Sequence, residues 1–220
     1  MGIVNYMKKI AFFTSILFLL MKSNDIRAQD HVTVTQTGEI AIQIDGPVYV
    51  CISSKGNISG FGIAAAGSVS FFNGRINRMG IHSISYDFNG RIERIGTQTF
   101  SYGFEGRINK INEIPFSYFN GHLDKIGSIA ISYFAERVDK IGTMGISHFN
   151  GQIDKVNSER VSYDFNGRID KIGSVDVSYD FNGLIYQVDE SKIRYDFDSH
   201  VNHIDGKIIL GITLKGSWIE

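Results

Sequence analysis

The chain predicts an all-β fold, a repetitive antiparallel β-hairpin meander of 15- to 16-residue units, with a parallel β-solenoid as the alternative. Three observations lead there. From Val161 to Gly183 the sequence nearly repeats itself, as VSYDFNGRIDKIG and then SVDVSYDFNG, and imperfect copies run from about Val69 to about Ile204. Each copy holds two turn signals. Between the turns, apolar residues alternate with polar ones. Self-similarity at a short fixed period marks an array whose units bury their apolar faces only against their neighbours.

Residues 1–29 come before any of this. Lys8 and Lys9 precede an apolar run from Ile10 to Met21, and a polar stretch ends at Ile26, Arg27, Ala28 and Gln29. That is the layout of a secretory signal peptide cleaved near Ala28 or Gln29, and its apolar run is too short to cross a bilayer of about 30 Å as a helix. The expected product is exported to the periplasm, the cell surface or the medium, with no transmembrane segment after processing. Losing Lys8, Lys9, Lys22, Arg27 and Asp25 leaves 18 basic and 22 acidic residues, a net charge of −4, which argues against a nucleic-acid partner. Cys51 is the single cysteine, so no intrachain disulfide forms and the thiol is expected as a small buried residue.

Residues 30–68 read as a diverged N-terminal β segment of the same sheet. Gly38-Glu39-Ile40 and Gly56-Asn57-Ile58 lie 18 residues apart, and Gly56 is again 18 from Gly74, but the Tyr-Phe pair of the later units is missing.

Residues 69–206 form the array proper. The glycine of Phe-Asn-Gly serves as a ruler: Gly74, Gly90, Gly106, Gly121, Glu136 in place of glycine, Gly151, Gly167 and Gly183, with Ser199 at a degenerate last position. From each ruler position up to Gly183, the next unit's aromatic lies 12 residues on, so all length variation falls between that aromatic and the following Phe. Long units read Tyr-Asp-Phe or Tyr-Gly-Phe, and short ones Tyr118-Phe119, Tyr133-Phe134 and His148-Phe149. An insertion tolerated at one place marks a turn. Asp164-Phe165-Asn166-Gly167 suits a type I turn with a left-handed glycine, and Asn-Gly in the short units is the strongest two-residue hairpin signal. A second column, Gly80, Gly96, Asn112, Gly127, Gly142, Asn157, Gly173 and Asp189, contains residues that tolerate positive φ and predicts a second turn. Before the first turn the pattern is apolar, Ser, Tyr, the period-two mark of a strand with one buried face. After it, Ile169 and Ile172 and their equivalents are three apart, which requires either a bulge or burial on both faces. The phenylalanines from Phe72 to Phe197 are expected in the core. Residues 207–220, with the β-branched stretch Lys207–Leu214, are expected as a C-terminal cap strand.

Charge separates the two architectures. In a solenoid Lys110, Lys125, Lys140, Lys155 and Lys171 would stack at about 4.8 Å, whereas a meander spaces them at about 10 Å and relieves the repulsion. The meander is therefore favoured. A transmembrane barrel needs strands of about 9 to 11 residues, longer than the turns allow here.

Tyr163-Asp164-x-x-Gly167-Arg168-Ile169, and Tyr86 to Ile92 in the same arrangement, resemble the YD repeats of the Rhs class, whose units read Tyr-Asp-x-x-Gly-Arg-Leu. The resemblance implies hairpins that build long winding β-sheets able to form a shell around a polypeptide cargo. The unit here is shorter, and half the copies lack the Asp, so shared hairpin logic is what carries over.

The residues offering chemistry sit in columns. Tyr86, Tyr102, Tyr118, Tyr133, Tyr163, Tyr179 and Tyr195, with Arg75, Arg91, Arg107, Arg137 and Arg168, form a possible ligand-facing ladder: exposed, the rings would stack on sugars or meet a protein; buried, they are core with a hydroxyl at the edge. His122, Gln152 and Leu184 interrupt the Arg column, favouring a pairing role with the turn Asp over a ligand track. Asp-x-Asn-Gly lacks the further oxygens of a calcium loop. No nucleophile elbow, paired catalytic carboxylates, zinc spacing or phosphate loop appears, so neither catalytic residue, cofactor nor metal is assigned. The expectation is an exported non-enzymatic scaffold or interaction module of the cell envelope, its partner an envelope protein or a glycan; the alternative is an adhesin-like module binding glycan or protein through the Tyr and Arg columns.

Overall fold

The computed structural model describes residues 16–18, 32–45, 48–63, 67–199, 201–205 and 211–214. The array is an antiparallel meander in which every strand pairs with the next along the chain, from Gly67–Phe72 to Val201–Asp205. The last strand then pairs with the first, His203 opposite Ser68 and Ile204 opposite Gly67, closing eighteen strands into a barrel. The solenoid alternative is thereby set aside.

One hairpin shows why the sequence folds this way. In strands Glu159–Tyr163 and Ile169–Ile172, Val161 pairs with Ile172 and Ser162 with Lys171, but Tyr163 pairs with Ile169, so Asp170 is the extra residue of a β-bulge. The bulge lets Ile169 and Ile172, three apart, both point inward, at 0% and 4% exposure. The same register shift recurs in every Phe-turn hairpin of the array. Ser and Lys positions stay on the wet outer face, where Ser162 Oγ donates to Asp170 at 2.6 Å, Ser147 to Asp154 and Ser132 to Asp139.

Both turn columns behave as their residues dictate. Long turns close with Gly167 N donating to Asp164 O at 2.9 Å, Gly167 at φ +75°. Short turns place two successive residues at positive φ, Asn120 at +48° and Gly121 at +81°, the two-residue hairpin geometry that Asn-Gly favours. All eight residues of the second column have positive φ.

Residues 32–63 do not continue the array's sheet. With two short flanking strands they form a second, six-stranded sheet, ordered Ile16–Phe18, Gly211–Leu214, Ile58–Ile63, Val48–Ile52, Ile40–Asp45, Val32–Val34. Ile16–Phe18 falls within the stretch read as a signal peptide; the cleavage region itself lies outside the described residues. Gly211–Leu214, expected as a cap on the array, instead pairs with Ile58–Ile63. A closed ring has no end to cap. Every residue of Val48–Ile52 is buried, which a wall with one wet face would not allow, and the inner sheet shares one apolar core with the barrel strands. Its turns are pinned to the wall by backbone bonds, Ile108 N to Gly56 O at 2.9 Å and Leu123 N to Ser54 O at 2.7 Å. Gly56 has φ +85°, and a Cβ there would collide with the Tyr118 ring.

The phenylalanines of the turn column correct the expectation, whereas Phe100 and Phe116 are buried in the core. Phe88, Phe104, Phe165, Phe181 and Phe197 are between 97% and 109% exposed, and Phe72, Phe119, Phe134 and Phe149 between 67% and 77%. In the short units Phe119, Phe134 and Phe149 still pair in the strand and directly follow an inward-facing residue, so alternation sends them outward, and in the long units the Phe lies in the turn beyond the paired Tyr.

Replacing Ile169 by Ala should lower unfolding free energy by about 2–5 kcal/mol, whereas Phe165→Ser should change it by less than about 0.5 kcal/mol. Urea melts of the two variants beside the parent distinguish a core isoleucine from a solvent-facing phenylalanine.

Candidate functional site

The tyrosine ladder is wired into the array. Each tyrosine hydroxyl donates to the backbone carbonyl ten residues earlier: Tyr86 to Ile76, Tyr102 to Ile92, Tyr118 to Ile108, Tyr133 to Leu123, Tyr163 to Ile153, Tyr179 to Ile169 and Tyr195 to Ile185, at 2.5–2.9 Å. The acceptor lies on the preceding strand, beyond its last paired residues. Lys171 pairs with Asp176 and Ile172 with Val175, and there the ladder stops. Past that point the strands part and the phenol fills the gap. All seven rings are half-buried against the core. Burial pushes the hydroxyls of Tyr86, Tyr118, Tyr133 and Tyr163 up to about 12, and those of Tyr102 and Tyr179 higher still.

The arginine column covers these rings. The guanidiniums of Arg75, Arg91, Arg107 and Arg168 lie 5.3, 4.4, 5.5 and 4.3 Å from the ring centres of Tyr86, Tyr102, Tyr118 and Tyr179, each one unit further along, within cation–π range. His122 takes the arginine's place and stacks on Tyr133 at 5.1 Å. In two long units the turn Asp steers the arginine: Asp87 pairs with Arg91 at 2.7 Å and Asp164 with Arg168 at 2.6 Å. Burial, the largest single influence, pushes these two carboxyls up, but the arginine's hydrogen bonds and charge, with a turn amide, together outweigh it and hold them below the ordinary range. The ladder thus spends its hydroxyls, and several ring faces, on the array itself.

The exposed apolar groups lie elsewhere. In an alternating closed meander, connections of one kind emerge at one end, and the nine Phe-bearing turns are all of one kind. One rim therefore carries nine phenylalanines. The opposite rim carries Ile81, Thr97, Glu113, Ser128, Thr143, Ser158, Ser174 and Glu190. Sequence reasoning had the phenylalanine column but placed it inside; the signal available was its position next to an insertable turn.

A cleft of about 320 Å³ opens at the Phe rim between the inner sheet's turns and the wall, lined in part by Glu39, Ser53, Glu136, Arg137, His148 and Gln152. Three of these break the repeat: Glu136 stands for glycine, His148 for tyrosine and Gln152 for arginine. Arg137 consequently has no tyrosine beneath it, and among the described residues no carboxylate forms an ion pair with it. His148 is held below the ordinary imidazole range by burial first and by the Arg137 charge second. Ala135 and Glu136 both sit at positive φ, +48° and +64°, a two-residue turn made without Asn or Gly. Such strain costs about 1–3 kcal/mol per residue and gathers at functional sites. Each substitution was legible singly; their convergence was not.

Among the described residues there is no group of three or more His, Cys, Asp or Glu side chains able to hold a metal ion, and no helix long and apolar enough to cross a membrane. Cys51 is buried. No protein-family model matches the sequence, and no curated protein matches it.

Because the folded tyrosines ionise above their unfolded value of about 10, their stabilising contribution is complete below pH 10 and is lost as pH rises towards 12 and beyond. Circular dichroism should show a flat melting temperature up to about pH 10 and a steep fall above it, with tyrosinate absorbance appearing together with unfolding. Tyr163→Phe, which leaves the Ile153 carbonyl unpaired, should cost about 1–2 kcal/mol in a urea melt.

Proposed function

We propose that this protein is an exported, non-enzymatic interaction module of the cell envelope, a rigid closed ring that presents one rim to a partner. The observation that carries this reading is the set of nine exposed phenylalanines at that rim. Soluble monomers rarely expose apolar area on this scale without using it, and the core does not need these rings. The export layout of residues 1–29 supports an envelope setting. Capture from the producing cell's envelope tests the proposal: parent protein should retain a partner fraction that the F88S/F104S/F165S/F181S variant releases. Equal retention would remove the rim from the reading, and recovery of the protein in the cytoplasm would remove export.

The adhesin-like alternative has a specific observation in its favour, the cleft at Glu136, Arg137, His148 and Gln152. A guanidinium without an ion pair, carboxylates, an amide and tyrosine rings are the groups that hold a saccharide's hydroxyls and apolar face. Restoring the repeat with Ala135→Asn and Glu136→Gly should raise stability by about 1–2 kcal/mol by relieving the strained turn, while a glycan array should lose any signal the parent gives. Unchanged array signal would dismiss the cleft as the binding site.

A further inference from the structure

We infer that the cleft beside His148 takes a phenol, a flat ring whose hydroxyl donates to the Val138 carbonyl while its face lies against the Arg137 guanidinium. This assignment rests on the proposal that the cleft binds a ligand, and it names the ring that enters.

The intact units show what such a slot is built to hold. In each of them a tyrosine hydroxyl donates to the carbonyl ten residues earlier, and the ring fills the wedge where two hairpins part. Between Tyr133 and Tyr163 the column holds His148 instead. The carbonyl ten residues before it is that of Val138, a buried residue that lines the cleft. Leu123 holds the same place in the preceding short hairpin, opposite Tyr118 as Val138 is opposite Tyr133, and its carbonyl accepts from Tyr133 at 2.9 Å. An imidazole is too short to reach as far as a phenol hydroxyl. Among the described residues no side chain donates to the Val138 carbonyl, and His148 makes no hydrogen bond.

The cation is in place as well. Arg137 lies against Gly151 of the next rim turn, where a Cβ would stand 3.4 Å from its guanidinium, as Arg168 lies against Gly183 at 3.3 Å. From that position Arg168 covers the ring of Tyr179 at 4.3 Å, whereas Arg137 has no tyrosine to cover. Its short unit lacks a turn Asp, and the adjacent carboxylate, Glu136, is drawn to His122 Nε2 at 3.0 Å. Guanidinium, slot and carbonyl are therefore set as in a finished unit, with only the ring missing.

Three properties favour a phenol over a sugar. Cation–π contact needs an aromatic face, which a pyranose lacks. One carbonyl at the floor of the slot takes one hydroxyl, whereas a sugar presents several. Charge suits a neutral ligand, since Glu39 and Glu136 offset Arg137 in the lining, and burial first and the Arg137 charge second keep His148 uncharged at neutral pH. The volume of about 320 Å³ lies at the small end of ligand sites and suits one ring with a short substituent. The phenol comes either as a free small molecule or as the tyrosine side chain of a polypeptide.

Titration of the intact protein, followed by NMR chemical shifts of the His148 imidazole, tests the inference. p-Cresol should bind with a Kd on the order of 1 mM. N-acetyltyrosinamide should bind at least about tenfold more tightly than N-acetylphenylalaninamide, which lacks the hydroxyl. His148→Tyr, which supplies the ring covalently, should melt at a higher temperature than the parent and bind no p-cresol by intrinsic fluorescence or equilibrium dialysis. Arg137→Gln should bind p-cresol at least about threefold more weakly. Circular dichroism checks that both variants fold; if His148→Tyr does not, Arg137→Gln carries the test. A tyrosine amide that binds more tightly than p-cresol assigns a polypeptide source, and equal or weaker binding assigns a free phenol. Absence of binding by both phenols, equal affinity for the tyrosine and phenylalanine amides, or undiminished binding in either variant would each overturn the phenol assignment. If it is overturned while a glycan array gives a signal that Ala135→Asn with Glu136→Gly removes, the cleft stands as a site and only its ligand changes. If neither phenol nor glycan binds, both readings fall.

Discussion

A phenol hydroxyl reaching back to a carbonyl on the preceding strand is the contact on which this architecture turns. At the second-column turn, neighbouring strands share only two paired positions before they diverge. Divergence is what allows hairpins to fan into a ring, but it exposes a buried-side carbonyl that would otherwise go unpaired, at a cost of about 1–3 kcal/mol. The tyrosine solves both problems at once. Its ring fills the wedge opened by the splay, its hydroxyl satisfies the carbonyl, and the arginine of the preceding unit covers its face. Where histidine replaces tyrosine at position 148, the wedge is underfilled, and there the wall has a cleft.

The bulge is the complementary device. Strict alternation would send one of each aliphatic pair outward; an extra residue restores both to the core and adds twist. It also frees backbone N–H groups on the inner side, two of which, at Ile108 and Leu123, bond to the turns of the enclosed sheet. Wall and filling are consequently joined by hydrogen bonds as well as by apolar contact, and neither β layer could be removed without leaving the other's polar backbone unpaired.

Much of this was written locally in the sequence. The Gly, Asn and Asp columns named both turns because positive φ admits few residues, and the Ser-Tyr alternation named the strand faces. The aliphatic spacing of three signalled a bulge or two buried faces without choosing. Three features were out of reach for physical reasons. Closure joins Gly67 to Ile204 through ordinary backbone pairing, which leaves no composition mark. The inner sheet's strands look like weakened repeats, and only burial on both faces of Val48–Ile52 reveals that they belong inside. The phenylalanines are apolar and periodic, the usual signature of core, yet in the short units they take the outward position at the end of the paired strand, and in the long units they sit two residues past the tyrosine, in the turn itself. The cleft's lining combines residues from different columns that only the stacking of successive hairpins assembles.

Closure also constrains how such a protein can change over time. An open array gains or loses a copy at its end with little disturbance. A ring has a fixed circumference matched to the sheet it encloses, so duplicating or deleting one hairpin would leave the interior loose or overfilled. Copy number is locked, and variation is confined to what the circuit does not register: one residue more or less at a rim turn, and the identity of the side chain at its tip.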